Sequence, residues 1–137
     1  MLQIKTRSDT SRGVRFMATI CLYQDSRHAQ PLKWMRDVFN IGYLSFRNDG
    51  MTELRINGFT SVKSVLEKLR PYIRFKVKQA DALISACKLL EAKKIREMSE
   101  QELRYIVDLA FVIKGENYKS RNSLSKEAVL HRLNLTP

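Results

Sequence analysis

An α+β domain is the fold this sequence predicts: four antiparallel strands in one sheet, with helices on a single face. Three observations carry that expectation. Four short runs alternate apolar and polar residues, the period of a half-buried strand. The runs come in two pairs, each followed by apolar residues at helical spacing, giving ββαββα and then further helix. The chain has 137 residues, 44% of them hydrophobic, which suits one core and a single domain spanning residues 1–137.

The elements follow in order. From Leu2 to Arg7, Leu2, Ile4 and Thr6 fall on one side, and Gln3, Lys5 and Arg7 on the other. Ser8 to Gly13 is polar and turn-rich. Val14 to Gln24 alternates again, with Val14, Phe16, Ala18, Ile20 and Leu22 inward and Arg15, Met17, Thr19, Cys21 and Tyr23 outward. Pro31 suits a helix first turn, and Leu32, Met35 and Phe39 recur at helical spacing up to Gly42; Trp34 is read as core. Asp49-Gly50 between two alternating runs predicts a second hairpin, Tyr43 to Asn48 and Met51 to Asn57. Its oily face holds Leu44, Phe46, Leu54 and Ile56, and its other face Ser45, Arg47, Glu53, Arg55 and Asn57. Thr60 or Ser61 can cap a helix bearing Val62, Val65, Leu66 and Leu69, which Pro71 ends. A helix from about Gln79 to Ala92 presents Leu83, Cys87 and Leu90. Ser99 and Glu102 form a capping box for a helix through Ile113, closed by Gly115, and a last helix covers Lys126 to Leu133.

Composition narrows the function. Lys and Arg number 25 against 14 Asp and Glu, a formal charge of +11, and such an excess points to a polyanionic partner. No apolar run approaches the roughly 20 residues of a membrane helix. Met1 to Arg15 lacks the apolar stretch of a secretory signal, so a cytosolic or organellar-matrix location is expected. Cys21, Cys87, His28 and His131 are scattered, without metal-ligand spacing. No Walker loop, nucleophile elbow or dinucleotide glycine pattern occurs.

The outward face of the sheet carries the chemistry. Arg pairs with guanine, Gln and Asn with adenine, and Glu with cytosine. Gln3, Lys5, Arg7, Arg15, Thr19, Arg47, Glu53, Arg55 and Asn57 are therefore candidate base readers, with Met17, Cys21, Tyr23 and Ser45 among them. Such a face is equally what an ordinary solvated sheet would show; the cationic excess and interleaved amides favour nucleic acid. Lys68, Arg70, Arg74, Lys76 and Lys78 lie in a stretch without an acid and read as a phosphate clamp. Lys119 and Arg121 belong to a weaker basic tail with Lys114, Lys126 and Arg132.

Several motifs carry a resemblance. Ile41-Gly42-Tyr43-Leu44, the Asp49-Gly50 hairpin, Leu54-Arg55-Ile56 and the run from Leu69 to Ala80 are similar to the LAGLIDADG homing endonucleases, single-motif homodimeric branch. Gln3-Ile4-Lys5, Leu22-Tyr23-Gln24 and Asn117 to Arg121 fit the same register. The resemblance implies a saddle-shaped sheet in the major groove of double-stranded DNA. It also implies site-specific cleavage with Mg²⁺ at insertion sites of introns or inteins. Gln24 matches a residue that positions water, Lys76 the basic residue near the scissile phosphate, and Arg27 or His28 a peripheral cation. In the family a helix ending in the metal-binding acid precedes the first strand. Here the first strand begins almost at Met1, so the expectation is an N-terminally truncated member without metal ligands; Asp9, Asp25 and Asp49 are not in the matching position. That helix is also the family's dimer seam, so a homodimer is not expected of this chain alone. A non-catalytic module, a maturase-like binder of structured RNA or a DNA regulator, is the alternative.

Overall fold

The structure is a computed structural model that describes residues 1–6, 13–115 and 124–135. Arg7, the turn from Ser8, Lys119 and Arg121 lie outside the described residues. β1 (Leu2–Thr6) and β2 (Val14–Asp25) form the first antiparallel hairpin, and α1 (Gln30–Phe39) follows. β3 (Tyr43–Phe46) and β4 (Met51–Asn57) form the second, and then come α2 (Phe59–Leu69), α3 (Val77–Ala92), α4 (Glu100–Gly115) and α5 (Lys126–Arg132). The two hairpins join through β2 and β4, so the sheet runs β1-β2-β4-β3. Ile20 stands opposite Ile56 and Leu22 opposite Leu54 along that seam.

The alternation places the core. Val14, Phe16, Ala18 and Ile56 turn inward and pack with Val62 and Val65 of α2, Leu83 and Cys87 of α3, and Leu103, Ile106 and Val107 of α4. Each large apolar side chain buried in this layer contributes about 1.5–3 kcal/mol. Among the described residues no helix packs on the opposite face of the sheet, as the pattern predicts for an antiparallel sheet.

Local chemistry sets the boundaries. α1 has proline in its first turn and stops at Asn40, whose left-handed φ of 52° closes the helix before Gly42 is reached. Gly42 serves instead in a close approach: a Cβ there would lie 2.8 Å from the carbonyl oxygen of Arg55. The second hairpin turns through Arg47 to Gly50, with Gly50 at φ 79° and its N–H donating to the Arg47 carbonyl at 3.3 Å. The turn is therefore longer than the two-residue Asp-Gly link expected. α2 starts at Phe59 after Gly58, which has φ 94°, so neither Thr60 nor Ser61 caps it. The capping box of α4 is present: the Glu102 N–H donates to Ser99 Oγ at 3.2 Å, and the Ser99 N–H to Glu102 Oε2 at 2.9 Å.

Two core assignments are corrected. Trp34 is 62% exposed, because at about 100° per residue it sits across the helix from Leu32, the residue α1 buries. Phe46 is 69% exposed; it ends β3, an edge strand with a neighbour on one side only.

Candidate nucleic-acid interface

Strand register decides which side chains meet. On β1 and β2, Gln3 faces Met17 and Lys5 faces Arg15. Across β2 and β4, Thr19 pairs with Asn57, Cys21 with Arg55 and Tyr23 with Glu53. Across β4 and β3, Arg55 pairs with Tyr43 and Glu53 with Ser45. All the outward candidates of the described strands therefore share one uncovered face, in rows that cross the sheet.

That face is ordered before any partner arrives. Thr19 Oγ1 donates to Asn57 Oδ1 at 2.9 Å, and Asn57 Nδ2 to the Tyr43 hydroxyl at 3.4 Å. The Arg47 guanidinium lies 5.8 Å from the Tyr23 ring centre and pairs with Asp49 at 2.9 Å. Lys5 and Arg15 are exposed and directly opposed. Like charges so placed destabilise a strand pair, and an anionic partner removes that cost.

Glu53 departs from the expectation of a solvent-facing reader. Its side chain is only 2% exposed, and it accepts from Arg55 Nε, whose own side chain is 41% exposed. Arg55 beside it holds the Glu53 carboxyl below its ordinary value, against the upward pull of burial. Glu53 in turn raises the already high pKa of Arg55. Burial pushes the Cys21 thiol up.

The basic stretch is split. Arg70 is tied to Asp81, with Nη2 to Oδ2 at 2.8 Å. Arg74, Lys76 and Lys78 are exposed and have no ion pair among the described residues. Lys76 holds a left-handed φ of 58° at the start of α3. Gln24 is exposed near the end of β2, opposite Thr52. No hydrogen bond among the described residues joins Gln24 to Lys76. Arg27 is engaged by Asp25, through Nη2 to Oδ2 at 2.8 Å, which lowers the Asp25 pKa.

Among the described residues no group of three or more His, Cys, Asp or Glu side chains could hold a metal ion.

No protein-family model matches the chain. It is 31% identical over 88 residues to the DNA endonuclease I-CvuI of Chlorella vulgaris, a match over 64% of this chain and 55% of that protein. The chain thus aligns with little more than half the length of this curated relative. A crystal structure of the homing endonuclease I-CvuI, in complex with a DNA target in the presence of Mg, superposes with TM-score 0.86 at 25% identity, covering 97% of this chain and 82% of that one. The LAGLIDADG homing endonuclease I-SmaMI bound to cleaved DNA shares the fold, with TM-score 0.76 at 18% identity, over 100% of this chain and 45% of that one. With four antiparallel strands and helices on one face, the chain shares the fold of the LAGLIDADG homing endonucleases and is similar in sequence to I-CvuI.

Proposed function

We propose that the chain binds double-stranded DNA by laying the open face of its sheet in the major groove. One observation carries the reading: Gln3, Lys5, Arg15, Arg55 and Asn57 stand on one face across β1, β2 and β4, and Arg47, just past β3, lies over the Tyr23 ring of that face. The major groove is wide enough for such a ribbon and offers a distinct donor and acceptor pattern for each base pair. Arg74, Lys76 and Lys78 contact phosphates and position the protein without reading sequence. The I-CvuI structure is a complex with a DNA target, which supports DNA as the partner.

Cleavage is the second part of the proposal. Among the described residues no three metal-binding side chains gather, and the reading for residues 1–137 alone is binding without cutting. Site-specific cutting, with Mg²⁺ as the family's metal, requires carboxylates from an added acidic helix beside Gln24 and Lys76. In a nuclease assay with Mg²⁺, the bare chain leaves plasmid DNA intact, and a fusion carrying an acid-bearing helix ahead of Leu2 cuts it. Robust cutting by the bare chain would overturn this account.

Binding is tested by fluorescence anisotropy on a pool of random duplexes at rising salt. If about six phosphates are neutralised, log K falls against log salt with a slope near roughly −5. A flat response excludes nucleic acid as the partner, and stronger competition by structured RNA than by duplex replaces DNA with RNA.

A further inference from the structure

A carboxylate sunk into a surface meant for a polyanion needs a reason. Glu53 lies on β4, an interior strand of the sheet, on the uncovered face. Its side chain is 2% exposed, too deep to reach a base edge. It is flanked across the strands by Tyr23 and Ser45, and along its own strand it accepts from Arg55 Nε. Cys21 stands opposite Arg55 on the neighbouring strand.

This geometry has a specific effect on Arg55. A free arginine on a strand samples many rotamers and finds phosphates as readily as bases. With Nε held by Glu53, the stem is fixed and the two terminal nitrogens remain as an outward fork. That is the pair of donors that matches O6 and N7 of guanine. The acid also offsets one positive charge on the face, which weakens attraction to any DNA regardless of sequence. Asn57 and Tyr43 border the same row, so the fork is held between fixed neighbours.

We propose that Glu53 is a positioning residue that aims the Arg55 guanidinium at a guanine and suppresses its use as a phosphate contact. The proposal rests on duplex DNA being the partner of this face. It departs from the expectation that Glu53 itself reads cytosine.

The experiment selects bound duplexes from a random-sequence pool and sequences them, with salt titrations on the unselected pool. The chains compared are wild type, Glu53→Gln, Arg55→Lys and the double variant. Glu53→Gln lowers the guanine preference at one position by about tenfold. It also raises affinity for the unselected pool and steepens the salt slope by about one. Arg55→Lys keeps the charge but loses the fork, so it removes the same preference without steepening the slope. The double variant loses no further preference, because both changes act through one contact. Loss of a cytosine preference at a different position in Glu53→Gln, additive with Arg55→Lys, overturns the proposal in favour of direct reading. Equal weakening on all sequences, with a lowered melting temperature, overturns it in favour of a purely structural acid. Wild type that binds no duplex at all removes the DNA reading itself, a failure seen before any variant is made.

Discussion

At Glu53 one side chain answers to charge, burial and hydrogen bonding together, and its titration is measurable. Arg55 holds the carboxyl below its ordinary value in the fold. Stability from that shift is fully present above the unfolded carboxyl's pKa and is lost as pH falls through the lower folded value. Melting curves between pH 5 and pH 3 (roughly the span of ordinary carboxyl titration) therefore fall less steeply for Glu53→Gln than for wild type. Identical acid limbs would show that the Arg55 contact is not formed in solution. The two thiols offer a second residue-scale test. Burial pushes Cys87 up to about 12, so in the folded chain N-ethylmaleimide labels Cys21 first, slowly, and duplex DNA protects it. Labelling unchanged by saturating DNA would count against the sheet face as the interface. Much of this site was legible in the sequence. Alternation alone assigns Gln3, Lys5, Arg15, Arg47, Arg55 and Asn57 to one face. Depth was not legible: nothing in the strand pattern tells that Glu53 is buried while Arg55 is not, since that depends on which neighbours fold over it.

Individual elements are held by features that differ in how openly the sequence displays them. The α4 capping box is visible as Ser99 and Glu102 three residues apart. Ser99→Ala removes the acceptor for the Glu102 N–H and costs about 1 kcal/mol in a thermal or urea melt; no change would mean the helix start is held by packing alone. Gly42 is subtler. Its φ of 98° and the 2.8 Å approach of the Arg55 carbonyl mean that Gly42→Ala strains the backbone and pushes on β4 at once. We expect a loss of more than about 1 kcal/mol, checked by chemical denaturation. A stability equal to wild type would show that β3 and β4 can shift apart freely there. Glycine often ends helices, which makes Gly42 look like the stop of α1, yet Asn40 reaches the left-handed region first. Trp34 escaped for a related reason. A large aromatic reads as core by type, whereas its angular place on α1 puts it outside.

For the molecule as a whole, the single four-stranded sheet and the one-sided helix layer were within reach of the pattern, because two hairpins with oily faces can share a core only side by side. The joining of β2 to β4 was not, since alternation is indifferent to which strands meet. Removing core volume tests the layer. Leu103 is fully buried in the shared core, so Leu103→Ala lowers stability by about 2–5 kcal/mol in a denaturant melt. It leaves base preference unchanged in the fraction that remains folded. A shifted preference would mean that core and reading surface are mechanically coupled.

The pleat divides β2 by parity. Even positions from Val14 to Leu22 hold the domain together, while odd positions from Arg15 to Tyr23 look away from it. Recognition and foldedness can therefore be inherited separately. The odd set can change without renegotiating the interior, and a designer can randomise it. Positions 19 and 53 are exceptions, outward-facing residues buried deep enough that altering them disturbs their neighbours as well.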